Sequence, residues 1–450
     1  MAEFIDGSPP PKNHLTTLSR VGYTFTSAVG DLIDNSIAAD SRNISIFFKV
    51  LDGSPRFLIV DDGCGMSDQE LRENMVIGCK DPDEKRENGD LGRFGSGMKT
   101  ASFSQAKRLT VASRTAVESS FSAARWDTDL IKKTNEWKLE ILDREDIAGL
   151  DFLNDFDGLG SGTVVCLEAL TCLDLNPDCQ GISYQISKLC ADLTDYIQLY
   201  FHRFLNKGIR LKLNGTAIFG MDPFMKKLVG YQEGPRNELR SKKGSIVIQS
   251  HVLPRISSLT KKQLAEYKGA KYISQHQGLY IYRDERLILA GGWFGIGNMS
   301  ELSNLVRIQI DIPSELDKEW ETDVKKSQLK IPLKVRQVLK RILGSPISTS
   351  RKVHNYVGKK DEDSKYWEVL QNELSGQEET KYLINKDNEL LKELTSTFGV
   401  LEKQRLAKYL CSLANNLPIN HIYMTMASTP KSIAQSNSEI DYNNLLEALK

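Results

Sequence analysis

The chain has 450 residues, 40% of them hydrophobic and 26% charged, and its 59 basic and 59 acidic side chains cancel to a net charge of zero. That length exceeds one ordinary core and points to two or three domains of a soluble globular protein. The neutral balance excludes a surface coated with positive charge for nucleic acid, while leaving room for a local basic patch.

Seven cysteines (Cys64, Cys79, Cys166, Cys172, Cys179, Cys190, Cys411) form no CxxC pair and the six histidines are scattered, so no zinc site is expected. No apolar run opens the chain, and no stretch approaches the roughly 18 apolar residues of a membrane span. The expectation is a cytoplasmic protein with reduced thiols and no membrane partner.

In chain order, residues 1–14 read as a flexible arm rich in Pro and Gly. A helical pattern runs from Leu15 to Asp40, with Val29, Leu32, Ile33 and Ile37 on one face. Two strands, Ile44–Val50 and Arg56–Val60, flank an Asp52-Gly53-Ser54-Pro55 turn. Residues 66–91 are polar and have the composition of a mobile loop. A helix is expected from about Gly97 to Ala106, then strands near Leu109–Ser113, Ser119–Ala124, Glu136–Leu142 and Thr163–Leu167. One α/β sandwich over 15–175 accounts for these. A second mixed domain, 176–345, starts with an amphipathic helix between Gly181 and Leu205. It continues with strands at Ile209–Leu213, Ser245–Ser250, Leu279–Leu289 and Leu305–Asp311 and a helix from Lys330 to Leu343. From 346 to 450 the composition is charged and helix-forming, with no strand pattern.

Three segments carry chemistry. In Asp31-Leu32-Ile33-Asp34-Asn35-Ser36, Asp31 and Asn35 are four apart and share a helical stripe. A carboxylate there can orient a water and an amide oxygen can ligate Mg²⁺, although a solvated polar face has the same pattern. In Ile59-Val60-Asp61-Asp62-Gly63-Cys64-Gly65-Met66 an apolar strand runs into an Asp and two glycines. The carboxylate can accept from an exocyclic amine, and the glycines let the backbone approach a flat ring; a plain Asp-Gly turn is the alternative. In Leu91-Gly92-Arg93-Phe94-Gly95-Ser96-Gly97-Met98-Lys99-Thr100 a Gly-rich loop opens a helix, which makes an anion site. Met98 separates Gly97 from Lys99, so the segment is not a Walker A loop. GxxGxG after a polar loop is not a Rossmann turn either.

Taken in order, these segments resemble the signatures of the Bergerat-fold (GHKL) ATPases: (E)xxDN, DxGxG and GxxGxG. That group includes gyrase B, MutL, the heat-shock chaperone ATPases and the histidine kinases. The resemblance is greatest to the MORC- and MutL-like branch and its bacterial relatives, and Gly162-Thr163-Val164 is similar to the family's GTxV strand. Tyr280-Ile281-Tyr282-Arg283-Asp284-Glu285-Arg286-Leu287-Ile288 looks like the YVYRNxRLI element of a transducer domain.

The resemblance implies an α+β protein: an N-terminal Bergerat-fold α/β sandwich, a mixed α/β transducer-like domain and a helical C-terminal region. It implies ATP and Mg²⁺ as ligands. Asp61 would bind the adenine amine, Gly63, Gly65 and Met66 would shape the pocket, and Thr163 would assist. Asn35 would ligate Mg²⁺. Gly92, Gly95, Ser96, Gly97 and Lys99 would hold the phosphates, with Lys80 a further candidate. Asp31 stands where hydrolysing members place the catalytic Glu, one methylene longer, so slow turnover is expected. Lys326, with Lys325 as the alternative, would be the transducer's phosphate-sensing lysine.

The function implied is an ATP-dependent homodimerising switch acting on DNA or a partner complex. A chaperone-like remodeller, or a nucleotide-binding scaffold of a bacterial defence complex with negligible turnover, are the alternatives. The absence of a cleavage domain disfavours a topoisomerase.

Overall fold

The structure, a computed structural model, describes residues 9–20, 22–51, 54–78, 97–118, 120–156, 160–174, 181–241, 244–300, 303–317, 319–320, 331–354, 366–374 and 377–417. Helix α1 (Pro11–Ser19) begins with proline in its first turn, where no amide hydrogen is needed. Residues 11–14, expected in the arm, are therefore helical. Helix α2 (Phe25–Ala38) restarts at a capping box: the Thr24 hydroxyl accepts from the Ser27 amide at 3.2 Å, and the Ser27 hydroxyl accepts from the Thr24 amide at 3.0 Å. The helical pattern from Leu15 to Asp40 is thus two helices, separated near Gly22, whose φ of 82° no helix accommodates.

Strands β1 (Asn43–Leu51) and β2 (Ser54–Asp61) form an antiparallel pair. Helix α3 (Asp68–Met75) occupies part of the expected loop and is fixed by a Ser67–Glu70 capping box. Residues 79–96, with Lys80, Gly92, Gly95 and Ser96, lie outside the described residues. Next come α4 (Gly97–Gln105), β3 (Ala106–Arg114), β4 (Ser122–Asp127), α5 (Thr128–Thr134), β5 (Glu140–Ile141), α6 (Arg144–Ala148) and β6 (Gly162–Leu170). Helices α7 (Ile182–Tyr200) and α8 (His202–Asn206) lead to β7 (Arg210–Leu213) and β8 (Thr216–Ile218).

The first sheet has the order β5-β4-β3-β6-β2-β1-β7-β8. β7, which the sequence pattern groups with the second domain, pairs parallel to β1. Helices α2, α4 and α7 cover one face: Phe25, Val29, Leu32, Ile33, Phe103, Leu193 and Ile197 pack with Ile44, Ile46, Phe57, Ile59 and Val111. Burying each such side chain stabilises by roughly 1.5–3 kcal/mol, which fixes α2 to the sheet by its apolar stripe. Leu58, Val60, Val164 and Cys166 pack with Phe152 in a separate cluster. β2 is therefore buried on both faces and reads as a continuous apolar run.

A second sheet, of order β12-β11-β13-β10-β9, comprises β9 (Gln232–Ser241), β10 (Gly244–Val252), β11 (Gly278–Arg283), β12 (Arg286–Ala290) and β13 (Val306–Ile312). β9 is an edge strand with no buried residue, so it lacks the apolar alternation that sequence reading relies on. Between β10 and β11 lie α9 (Lys261–Glu266) and α10 (Ala270–Gln275). Helix α11 (Leu333–Ile342) packs Val335 and Leu339 against Ile248, Ile308 and Ile310, and α12 (Gly344–His354) follows. The C-terminal region holds α13 (Glu389–Ser396) and α14 (Val400–Asn415). It also holds a hairpin of β14 (Trp367–Leu374) and β15 (Gln377–Ile384), which its charged composition conceals.

Helix α7 joins the two units. Leu193 and Ile197 belong to the first core, whereas Leu199 packs with Phe224, Tyr280 and Tyr282 of the second. Just beyond it, the His202 ring nitrogen Nε2 lies 2.8 Å from the Tyr282 hydroxyl.

Candidate functional site

Asp61 ends β2, only 5% exposed, and its carboxylate faces α2. Oδ2 accepts from the Ser36 hydroxyl at 2.9 Å and Oδ1 from the Gly63 amide at 3.0 Å. Burial is the largest influence and pushes this carboxyl above its ordinary value, although bonds from Gly63, Ser36 and the Thr163 backbone favour the charge. Asp62, its neighbour, faces away to the chain at 41–43. It accepts from the Ser41 hydroxyl and the Arg42 amide at 2.8 Å and from the Asn43 amide at 2.7 Å. Burial opposes its charge, but these bonds and one from the Asn43 side chain outweigh that and hold it below the usual range.

The glycines allow close backbone approach. Gly65 has φ 71°, and a Cβ there would collide with the Arg114 carbonyl. A Cβ on Gly63 would sit 2.7 Å from the Ala39 carbonyl oxygen, and one on Gly162 would strike the Asp61 carbonyl. A hydroxyl network extends the site: Ser113 Oγ accepts from the Met66 amide at 2.8 Å and lies 2.9 Å from Thr163 Oγ1. Thr163 is the direct cross-strand partner of Asp61. Asp61, Gly63, Gly65, Met66 and Thr163 are therefore brought together, by β2, β6 and the turn after β2.

Asp31 and Asn35 lie on the stripe of α2 turned from the core, Asn35 exposed and Asp31 half-buried. The Tyr23 hydroxyl donates to Asp31 Oδ2 at 2.9 Å. Asp34, between them in sequence, is 2% exposed and paired with Arg286 of β12 at 2.9 Å. Among the described residues no group of three or more His, Cys, Asp and Glu is placed to hold a metal.

Lys99, expected at the phosphates, lies in the first turn of α4. It is 2% exposed, and its ammonium donates to the carbonyls of Asn74 at 2.5 Å and Val76 at 2.7 Å. The Trp126 indole donates to the Met75 carbonyl between them at 2.9 Å. These are the carbonyls that the end of α3 leaves without intrahelical partners, and a lysine satisfies them well. Gly97 opens α4, whereas Lys325 and Lys326 lie outside the described residues. Cys64, Cys166, Cys172, Cys190 and Cys411 are free thiols. No described helix is long and apolar enough to cross a membrane.

Sequence reasoning missed Tyr23, Ser36 and Ser113. Ser36 sits five residues after Asp31 on the buried side of α2, and its position in a DNS triplet carries no distinguishing pattern. A concavity of about 930 Å³ lies elsewhere, lined by His202, Arg203, Lys226, Gln249, Gln309 and Asp311. Its central cation, Arg203, is neutralised by Asp311 and by Glu285.

The profile of the histidine kinase-, DNA gyrase B- and HSP90-like ATPases matches residues 23–163, which is the segment holding these groups. Residues 23–163 are a GHKL-type ATPase domain. Curated relatives come from the MORC proteins. ATPase morc-1 of Caenorhabditis elegans is 27% identical over 102 residues, which is 23% of this chain and 12% of that protein. Protein MICRORCHIDIA 3 of Arabidopsis thaliana is 35% identical over 80 residues, 16% of this chain and 13% of the relative. Protein MICRORCHIDIA 6 of the same plant is 34% identical over 93 residues, 19% and 13% respectively. The chain thus matches about an eighth of each relative's length.

Proposed function

We propose that the chain binds Mg-ATP between α2 and the turn after β2, hydrolyses it slowly, and uses it as a switch that dimerises and acts on DNA or a partner complex. The observation that carries this reading is the buried Asp61 carboxylate, held by Ser36 and Gly63 at a strand end where glycine backbone is closely packed. A carboxylate so placed accepts from an exocyclic amine, and glycine backbone beside it, without side chains, suits a purine ring. Asn35 holds the metal. Asp31 orients the attacking water, and the Tyr23 hydroxyl fixes the direction of its carboxylate. Gly92, Gly95, Ser96 and Gly97 present amides to the phosphates, with Lys80 and Lys326 as cationic partners. Lys99 acts at one remove: it follows the phosphate loop in sequence and is bonded to Asn74 and Val76, just before residues 79–96. It thereby ties the start of α4 to the end of α3.

The DNA or partner target is supported by likeness to MORC proteins alone, and dimerisation by the same likeness. One feature favours a scaffold with little turnover: Asp31 is one methylene shorter than the Glu of hydrolysing members. The test is light scattering with ATP, ADP and a non-hydrolysable analogue, together with DNA filter binding at stated salt. Doubling of mass and DNA retention with the analogue, and neither with ADP, is expected. An unchanged mass at saturating analogue refutes the switch.

A further inference from the structure

Asp34 precedes Asn35 by one residue and follows Asp31 by three, but it points inward, to the second domain. Arg286, the first residue of β12, meets it with Nε 2.9 Å from Oδ1. The rest of the guanidinium is spent on the interface: Nη1 donates to the carbonyls of Tyr200 at 3.1 Å and Leu287 at 2.8 Å, and Nη2 to the Tyr196 hydroxyl at 2.8 Å. Its carbon lies 3.6 Å from the centre of the Phe201 ring. The contact has no slack, because one turn earlier Gly30 leaves room for nothing. A Cβ there would sit 2.6 Å from Tyr196 Oη and 3.0 Å from Arg286 Nη2.

A buried charge must stay with its partner, so neither group can move alone without being stranded. Asp31, Asp34 and Asn35 also share one rigid helix. The turn Asp284-Glu285 that presents Arg286 has left-handed backbone at both residues, φ 45° and 71°, which makes the hairpin tight. Arg283 on its other side anchors it to Asp317 through two bonds of 2.9 Å.

We infer that the Asp34–Arg286 pair is the link through which the β11–β12 hairpin of the second domain positions α2, and so Asp31 and Asn35, in response to nucleotide. This rests on the ATP reading above. Both residues are positioning residues: neither needs to touch ATP.

The test is amide hydrogen exchange on the full chain, with and without Mg²⁺ and a non-hydrolysable ATP analogue. The parent is compared with Asp34→Asn/Arg286→Met, which removes both charges together. Gly30→Ala is the second variant, which keeps the pair and displaces it, should the double variant fail to fold. In the parent the analogue slows exchange at residues 31–36 and also at 280–290. In either variant the slowing persists at 31–36 and disappears at 280–290, and phosphate release at saturating ATP falls about tenfold or more. Protection at 280–290 that survives in a folded variant overturns the link while leaving the ATP reading intact. A parent with no protection at 31–36 overturns the ATP reading and the link with it.

Discussion

Asp61 and Asp62 are adjacent in sequence and opposite in environment. Asp61 is turned into the protein towards Ser36, with its pKa raised by burial, whereas Asp62 is turned out to a ring of donors from residues 41–43, with its pKa lowered. The division follows from strand geometry, since successive side chains leave a strand on opposite faces. Asp62 thereby ties the turn after β2 to residues 41–43, while Asp61 is the carboxylate that the proposed function uses.

Asp62→Ala leaves the Arg42 and Asn43 amides without their acceptor and takes from the Ser41 hydroxyl the nearer of its two. We expect a loss of about 1–3 kcal/mol in stability, with ATP affinity of the folded protein unchanged. Because the folded pKa of Asp62 lies below its unfolded value, its contribution is full above the unfolded value and is lost as pH falls through the folded one. Denaturant melts of parent and variant should therefore converge in acid; a constant gap would contradict the assignment.

Nucleotide binding should have its own acid limb. The adenine amine needs Asp61 as an acceptor, so protonation of Asp61 weakens binding. Its pKa is raised by burial, so affinity starts to fall above the ordinary carboxylate range as pH is lowered, and binding releases a proton in that window. Titrations across pH on the parent and Asp61→Asn check this. The limb should vanish in the variant, and its persistence would assign it to another group.

Tyr23→Phe removes the hydroxyl that donates to Asp31. Turnover should fall roughly ten- to hundredfold, the worth of one hydrogen bond to a charged group, with little change in ATP affinity. Asp31→Ala should abolish turnover and Asp31→Glu should retain or raise it. Steady-state phosphate release decides, and an Asp31→Ala protein as fast as the parent would exclude Asp31 as the base.

Asn35 is exposed, so Asn35→Ala should leave stability within about 0.5 kcal/mol. It should weaken ATP binding with Mg²⁺ present and leave binding in EDTA unaltered. An equal loss in both conditions would give Asn35 another role.

Much of the first domain was legible because β2 is buried on both faces and ends in Asp-Asp-Gly-Cys-Gly, a run whose apolar stretch and turn are both local. The capping residues and the apolar stripe of α2 are local as well. What the pattern hid is non-local. β7 pairs with β1, so its registry depends on the fold bringing Asn43 beside Arg210. Ser113 enters the site only because β3 lies next to β6, where it is the cross-strand partner of Thr163. Lys99 follows the glycines in sequence, but its bonds to the Asn74 and Val76 carbonyls at the end of α3 are non-local. Arg286 was visible as part of a strand-turn-strand motif, but nothing in either segment names Asp34 as its partner.

The central claim is that Asp61 reads the adenine of a bound Mg-ATP. Calorimetric titration of Mg-ATP into the parent and into Asp61→Asn tests it most directly. The parent should bind, and the variant, which presents donors where an acceptor is needed, should bind about 1–3 kcal/mol more weakly. Equal affinities, or no heat of binding to the parent, would contradict the account.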